Sequence, residues 1–248
     1  PSAGQVPPMS PPVFVHPGPF DDVVVLDGPE GRHAVTVKRL QPGEQIMLID
    51  GRGAFATATI TATRGKDEVT AAVGERGVAK RPEPTVTVVQ ALPKAERSEL
   101  AVDLATQAGA DAIVPWQAQR CVARWTGAKV EKGRAKWEAA ALAAAKQSRR
   151  TRIPEVHEPV DTRGLAEFIA GKTAYVLHEE AATPIRDVDL SAAEIVLIVG
   201  PEGGIGEEEL AQLTAAGARA VKLGPEVLRT ASAAMVALSA IGALTSRW

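Results

Sequence analysis

Ile195-Val196-Leu197-Ile198-Val199-Gly200-Pro201-Glu202-Gly203-Gly204 runs as a fully apolar stretch into a glycine-rich turn. An acidic helix start follows at Glu207, Glu208 and Glu209. An uninterrupted β-branched run fits a parallel strand buried on both faces, where a half-exposed strand would alternate. The pattern recurs at Ala220-Val221-Lys222-Leu223-Gly224-Pro225-Glu226-Val227-Leu228-Arg229-Thr230. Ligands of open α/β sheets sit just past the carboxyl ends of such strands. Either turn alone reads equally well as a tight connection using Gly and Pro. Two of them, so close in sequence, point to one pocket built twice from the same device.

The acid in each turn narrows the ligand. Phosphate cradles need bare backbone N–H groups, usually backed by a Lys. Gly200-Pro201-Glu202-Gly203-Gly204 lacks that Lys and carries a carboxylate, and Pro201 removes a donor. Such a loop suits a neutral or cationic ligand better than a polyphosphate. The dinucleotide fingerprint G-x-G-x-x-G is not matched either, which argues against a nucleotide-dependent oxidoreductase. A third strand end joins these two: Tyr175-Val176-Leu177 runs into His178-Glu179-Glu180.

The 248 residues can bury a substantial core in one large domain or two smaller ones. Aromatic residues make up 4%, so stacking platforms are scarce. The apolar stretch 233–244 is too short and too rich in small residues to span a membrane. No charged-then-apolar leader opens the sequence, and its first twelve residues, rich in Pro, Ser and Gly, are expected to form a disordered tail. A single Cys121 excludes an intramolecular disulfide and fits a reducing cytoplasm. Four scattered His and that one Cys offer no metal-ligand cluster, so no metal is expected.

The net charge of −2 hides a segregation. Residues 81–153 carry 13 bases against 7 acids, and residues 154–248 carry 7 against 14. Within 120–152, ten bases face only Glu131 and Glu138. A block of this kind is the footprint of a polyanion partner, and also the look of a solvated helix face. The scarcity of pairing acids favours nucleic acid.

Along the chain, residues 13–80 read as a small β-rich module. Its strand candidates are 23–26, 45–49, 54–61 and 69–73, separated by Gly-containing turns, with a short helix over 31–40. Arg81-Pro82-Glu83-Pro84 reads as a linker. From Thr85 to residue 248 strands and helices alternate. Strands are expected at 85–92, 112–116, 174–177, 195–199 and 220–223. Helices are expected at 94–108, 131–149, 162–170, 207–216 and 232–246. That grammar predicts an α/β domain with a parallel sheet covered by helices.

As an ordered set, several motifs resemble the SPOUT methyltransferases, and among them the family that methylates N3 of a uridine in small-subunit ribosomal RNA. They are Gly31-Arg32-His33 with Lys38-Arg39, Leu92-Pro93-Lys94 with Glu99, and Gln107 to Pro115. Gln147-Ser148-Arg149-Arg150 with Ile153-Pro154, Leu177-His178-Glu179, Val199 to Gly204, and Leu223-Gly224 with Val227-Leu228-Arg229-Thr230 complete it. The resemblance covers nearly the whole chain. It implies an N-terminal PUA-like β-barrel and a C-terminal α/β domain with a deep trefoil knot. It also implies an S-adenosylmethionine donor and a homodimer acting on 16S ribosomal RNA. The donor pocket implied by motif comprises Leu177, His178, Glu179, Gly200, Pro201, Glu202, Gly203 and Gly204. Leu223, Gly224, Val227, Leu228, Arg229 and Thr230 belong to it as well. The family commonly continues Leu-Arg-Thr with Glu-Thr-Ala, whereas Ala231-Ser232-Ala233 stands here. Any role of that Glu is absent or filled by another group.

Within the resemblance, Arg229 is the first choice to stabilise charge developing on the uracil oxygens. Its alternative is a structural ion pair with Glu202 or Glu226. Glu202 is either a base or the group that orders its loop. Arg32, His33, Lys38, Arg39, Lys94, Arg97, Arg120, Arg124, Gln147, Arg149, Arg150 and Arg152 are placed on the RNA path, mostly as phosphate ligands. Two rival readings are a knotted enzyme that methylates a ribose 2'-hydroxyl and a noncatalytic RNA-binding assembly factor.

Overall fold

The computed structural model describes residues 10–248, so most of the expected N-terminal tail lies outside the described residues. The chain divides into two compact units. The first comprises the chain up to Lys80 together with Arg149–Arg152, and the second comprises Arg81–Ser148 and Ile153–Trp248.

The first unit is a five-stranded sheet of β1 (Val13–Val15), β2 (Val23–Leu26), β3 (Gln45–Ile49), β4 (Ala54–Arg64) and β5 (Glu68–Val78), in the order β1-β3-β4-β5-β2. Only β1 and β3 run parallel. Alternation places Ala56, Ala58 and Ile60 of β4 and Val69 and Ala71 of β5 in one core with Phe14, Leu26, Ile46 and Leu48. The expected single helix over 31–40 is instead a short α1 (Gly28–Arg32) continued by a π-helical turn over His33–Val37. Gly31 is required there: a Cβ would fall 1.9 Å from the Asp67 carbonyl at the tip of the β4–β5 hairpin. The turn buries Ala34 beneath the sheet and leaves Arg32, Lys38 and Arg39 exposed.

The second unit is built on a six-stranded sheet in which every neighbouring pair is parallel. Its strands are β6 (Thr85–Ala91), β7 (Ala112–Trp116), β8 (Glu155–Val156), β9 (Thr173–Leu177), β10 (Glu194–Val199) and β11 (Arg219–Val221). Their order is β11-β9-β10-β6-β7-β8. The helices are α2 (Ala95–Gln107), α3 (Ala128–Gln147), α4 (Thr162–Ile169), α5 (Glu207–Ala215) and α6 (Thr230–Leu244). Helix α2 packs on α3 and α6, and α4 packs on α5. Strands β6 and β10 lie side by side at the centre, and Ile195–Val199 are all buried. That is the reason for the unbroken apolar run: both faces of β10 are covered.

At the amino ends of the strands, Arg247 closes the sheet. Its guanidinium pairs with Asp111 at 2.9 Å and donates to the carbonyls of Pro84 and Gly109, both at 2.6 Å. Asp111 also accepts from the Val86 N–H at 2.8 Å, so the pair ties β6, β7 and the C-terminus together. The carboxyl ends, at the opposite edge, are left for the site. Among the described residues, no helix is long and apolar enough to cross a membrane.

Candidate functional site

The chain runs outward through β6, β7 and β8, then returns to place β10 against β6 and β9 beyond it. Crevices at such reversals of strand order are where open α/β sheets hold ligands. A cavity of about 580 Å³ lies there, past the carboxyl ends of β9, β10 and β11 and beside the turn leading from β6 to α2. Its volume is in the range of small-molecule and cofactor sites.

Three loops make its walls, at the strand ends expected from the sequence. β9 contributes Leu177, His178 and Glu179. β10 contributes Gly200, Pro201, Glu202, Gly203 and Gly204. β11 contributes Leu223, Gly224, Val227, Leu228, Arg229 and Thr230. Every residue that the resemblance assigned to the donor pocket therefore lines this one cavity.

Hydrogen bonds hold the loops in register. The Thr230 hydroxyl, in the first turn of α6, donates to the Gly200 carbonyl at 3.0 Å, so the second and third loops are tied directly. The Glu202 carboxylate accepts from the Lys94 backbone N–H at 2.9 Å, tying the glycine loop to the start of α2. The Gly204 N–H closes the turn on the Pro201 carbonyl at 2.9 Å, with Gly204 at φ 77°, where a side chain is disfavoured. The His178 N–H donates to the Val221 carbonyl at 3.0 Å, joining the first and third loops. Its Nδ1 accepts from the Glu180 N–H at 3.2 Å.

Two open alternatives are narrowed by this geometry. Arg229 is exposed at the N-cap of α6 and takes part in no ion pair among the described residues, so the structural pairing with Glu202 or Glu226 is not formed. Glu202 is engaged with backbone, which is the loop-ordering arrangement. Ala231 is 2% exposed in the helix core, so nothing at that position replaces the Glu common in the family.

The walls also hold groups outside the motifs. Lys222 lies at the cavity with Lys94, Arg97 and Arg229, and Glu96, Glu179, Glu202 and Glu226 line it as well. The glycine loop itself has no Lys, but Lys222, the last residue before Leu223, brings one to the cavity. The cavity carries both signs in balance. A ligand that itself carries both signs fits such walls better than a simple cation.

The basic residues placed on the RNA path fall into separate groups. Lys94 and Arg97 line the cavity. Arg120 donates to the Gly203 carbonyl at 3.2 Å, and Arg124 donates to the Gln119 carbonyl at 2.8 Å. Gln147 is exposed at the end of α3. In the first unit, Arg32, Lys38 and Arg39 are exposed, and His33 packs edge-on to Phe14 at 5.6 Å. Arg149, Arg150 and Arg152 also belong to that unit, although the sequence boundaries assign them to the other. Arg152 requires a correction. Its two terminal guanidinium nitrogens donate to the carbonyls of Arg52 and Ala79, the latter at 3.0 Å, and fill the space over Gly53, so both are used within the fold, while Nε is buried without a hydrogen-bond partner among the described residues. Arg149 likewise donates to the Ser10 carbonyl at 2.7 Å and to that of Pro11.

Residues 80–242 match the RNA methyltransferase domain family, and residues 26–73 match the RNA methyltransferase PUA domain family. The chain is 54% identical over 234 residues to the ribosomal RNA small subunit methyltransferase E of Mycobacterium tuberculosis, covering 91% of this chain and 88% of the relative. It is 30% identical over 226 residues to the protein of that name from Bacillus subtilis, covering 87% and 88%. Among solved structures, it is similar to a ribosomal RNA small subunit methyltransferase E from Neisseria gonorrhoeae bound to S-adenosyl methionine. That match has a TM-score of 0.86 at 28% identity and covers 95% of this chain and 98% of the other.

Proposed function

The chain belongs to the ribosomal RNA small subunit methyltransferase E family, and from that premise we propose that it methylates N3 of a uridine in 16S ribosomal RNA of the small subunit, with S-adenosylmethionine as donor. The observation that carries the reading is the convergence of three strand-end loops on one cavity, joined by the Thr230–Gly200 hydrogen bond and edged by Arg229, which forms no ion pair among the described residues. The fit to the donor rests on the walls. S-adenosylmethionine carries both charge signs, as the cavity does, and the glycine loop offers close backbone approach for its neutral part.

When bound, S-adenosylmethionine supplies a methyl group on a sulfonium, open to in-line displacement by a nitrogen. The chain's residues do the rest. The loops at Leu177–Glu179, Gly200–Gly204 and Leu223–Thr230 hold the donor in one orientation, which removes much of the entropic barrier to attack. Arg229, in no ion pair among the described residues, is available to bind the uracil oxygens as the N3 proton passes to solvent, and so stabilises the anion that attacks. Glu202 orders the glycine loop against Lys94. Lys94 and Arg97, at the cavity, and Arg120 and Arg124, behind the glycine loop, supply positive charge to the RNA around the target base. Arg32, Lys38 and Arg39 give the first unit its own exposed positive charge for RNA.

The same reading includes the trefoil knot, a homodimer and a cytoplasmic site of action. The knot is supported by the connection that leaves β10, passes β9 and forms β11 on its far side. Transfer of labelled methyl to purified small subunits, followed by nucleoside analysis, tests the function. N3-methyluridine supports it; a 2'-O-methyl nucleoside supports the ribose enzyme, and absence of donor binding supports the assembly factor.

A further inference from the structure

Glu209 is a charged residue at 1% exposure, while its neighbours Glu207 and Glu208 are exposed. It occupies the first turn of α5, directly after the glycine loop. Its Oε2 accepts from the Gln119 backbone N–H at 3.2 Å and from the Thr162 hydroxyl. That hydroxyl accepts in turn from the Trp116 indole N–H at 3.1 Å. Oε1 is buried without a hydrogen-bond partner, and no cation pairs with the carboxylate among the described residues. The helix N-terminus offsets part of the cost of burying this group. A carboxylate held in this way without a counter-ion is still costly, and apolar packing would serve stability better. Its presence calls for a role beyond stability.

The Gln119 N–H belongs to a strap, residues 117–126, that links β7 to α3. The strap is internally braced. The Gln117 amide donates to the Ala123 carbonyl at 3.0 Å and accepts from the Trp125 N–H at 3.1 Å. Trp125 is seated on Gly133 of α3, where a Cβ would fall 2.4 Å from the ring, and edge-on to Trp137. One residue after Gln119, Arg120 presses on the donor loop. A Cβ at Gly203 would lie 3.1 Å from the Arg120 Cβ and 3.2 Å from its carbonyl oxygen, and the guanidinium donates to the Gly203 carbonyl. The glycine loop is thus bounded by the cavity on one side and by this strap on the other.

We propose that Glu209 is a positioning residue for methyl transfer: its buried carboxylate holds the 117–126 strap by Gln119, and Arg120 of the strap keeps Gly203 and the glycine loop in their donor-binding shape. The proposal rests on the methyltransferase reading of the cavity. It is an acceptor role. One oxygen takes both hydrogen bonds, so an amide oxygen in the same place can also take both, whereas a shortened or absent side chain cannot reach.

Cys121, the only cysteine of the chain, is a built-in reporter of the strap. It is 4% exposed, and burial pushes its thiol pKa up, so native protein should label slowly with a thiol reagent. The experiment compares Glu209→Ala, Glu209→Asp and Glu209→Gln in the full chain for Cys121 labelling rate, donor affinity and methyl transfer to small subunits. Glu209→Ala and Glu209→Asp should label about tenfold faster and lower kcat by about tenfold, with Glu209→Gln within about threefold of wild type on both. On an Arg120→Ala background, Glu209→Ala should add less than about twofold, because both changes break one chain of contacts. If Glu209→Ala does not fold, the Asp and Gln variants carry the comparison. Wild-type labelling and transfer in the Ala and Asp variants, or fully multiplicative effects with Arg120→Ala, overturn the proposal. Absence of methyl transfer by the wild type overturns the functional reading instead, and labelling still reports separately whether Glu209 holds the strap.

Discussion

The hydroxyl of Thr230 donates to the carbonyl of Gly200 at 3.0 Å, and through that one bond the loop after β11 is fastened to the loop after β10. The two Gly-Pro-Glu turns that look alike in sequence are therefore adjoining walls of one cavity. Replacing the hydroxyl by a methyl leaves the shape but orphans the carbonyl. Thr230→Val should weaken donor affinity about fivefold, on the order of 1 kcal/mol, with the melting temperature little changed. Calorimetric titration of the donor into the variant checks this; unchanged affinity would mean the loops do not depend on each other.

Arg229 stands at the same helix start, exposed and outside any ion pair among the described residues. A guanidinium that forms no ion pair is suited to an anion that appears only during reaction. Arg229→Ala should lower kcat by about a hundredfold while donor affinity shifts little, and Arg229→Lys should not restore it, because one ammonium cannot match two planar donors. Single-turnover transfer measured beside equilibrium donor binding separates the two effects. A loss confined to donor affinity would assign Arg229 to the donor instead.

The first unit presents Arg32 and Lys38 at exposed positions around the π-helical turn, whereas Arg149 and Arg152 donate to carbonyls of that unit. Paired Arg32→Ala and Lys38→Ala changes should weaken RNA binding and reduce the salt slope by about one for each phosphate no longer neutralised. Arg152→Ala should act mainly on stability, because the Arg52 and Ala79 carbonyls would then go without their donor. Binding of RNA measured over a salt series distinguishes them. The opposite pattern, with Arg152→Ala flattening the slope and the surface pair inert, would return Arg152 to the RNA path.

Arg247 and Asp111 form a buried pair, with side chains 4% and 5% exposed, at the amino ends of β6 and β7. Arg247→Ala leaves the buried Asp111 carboxylate without its cation and two carbonyls without their donor, so it should cost about 3–5 kcal/mol of stability. Chemical denaturation checks the loss. Donor affinity at low temperature should survive, since the site lies at the other end of the strands.

Much of this architecture is visible in residue patterns, and the reasons for the exceptions are physical. β10 is legible because its two covered faces demand an unbroken apolar run, and the alternation of strands and helices after Thr85 follows from the parallel sheet. Strand β8 has two residues and β1 has three, too few to show any period. The pairing of β1 with β3 joins segments distant in sequence, so no local signal announces it. The resemblance, more than any pattern, supplies the membership of the donor pocket. Glu209 looks in sequence like part of an exposed acidic helix start, yet it shares a buried face with Leu213 four residues on. That spacing is the available clue, and composition conceals it. Lys222 is easily passed over because it precedes the motif by one residue, although its place at the end of β11 puts it at the cavity. The attachment of residues 149–152 to the first unit has no signal at all, since it depends on Arg152 finding carbonyls far away in the chain.

In the proposed function, three strand-end loops seat S-adenosylmethionine for transfer to a base nitrogen of small-subunit RNA. The most direct measurement incubates the protein with purified small ribosomal subunits and isotopically labelled donor, digests the RNA, and identifies the labelled nucleoside by mass spectrometry. N3-methyluridine is expected at a single position, formed about a hundredfold more slowly by Arg229→Ala. Label on a ribose hydroxyl, or none on the RNA while the donor binds, would contradict it.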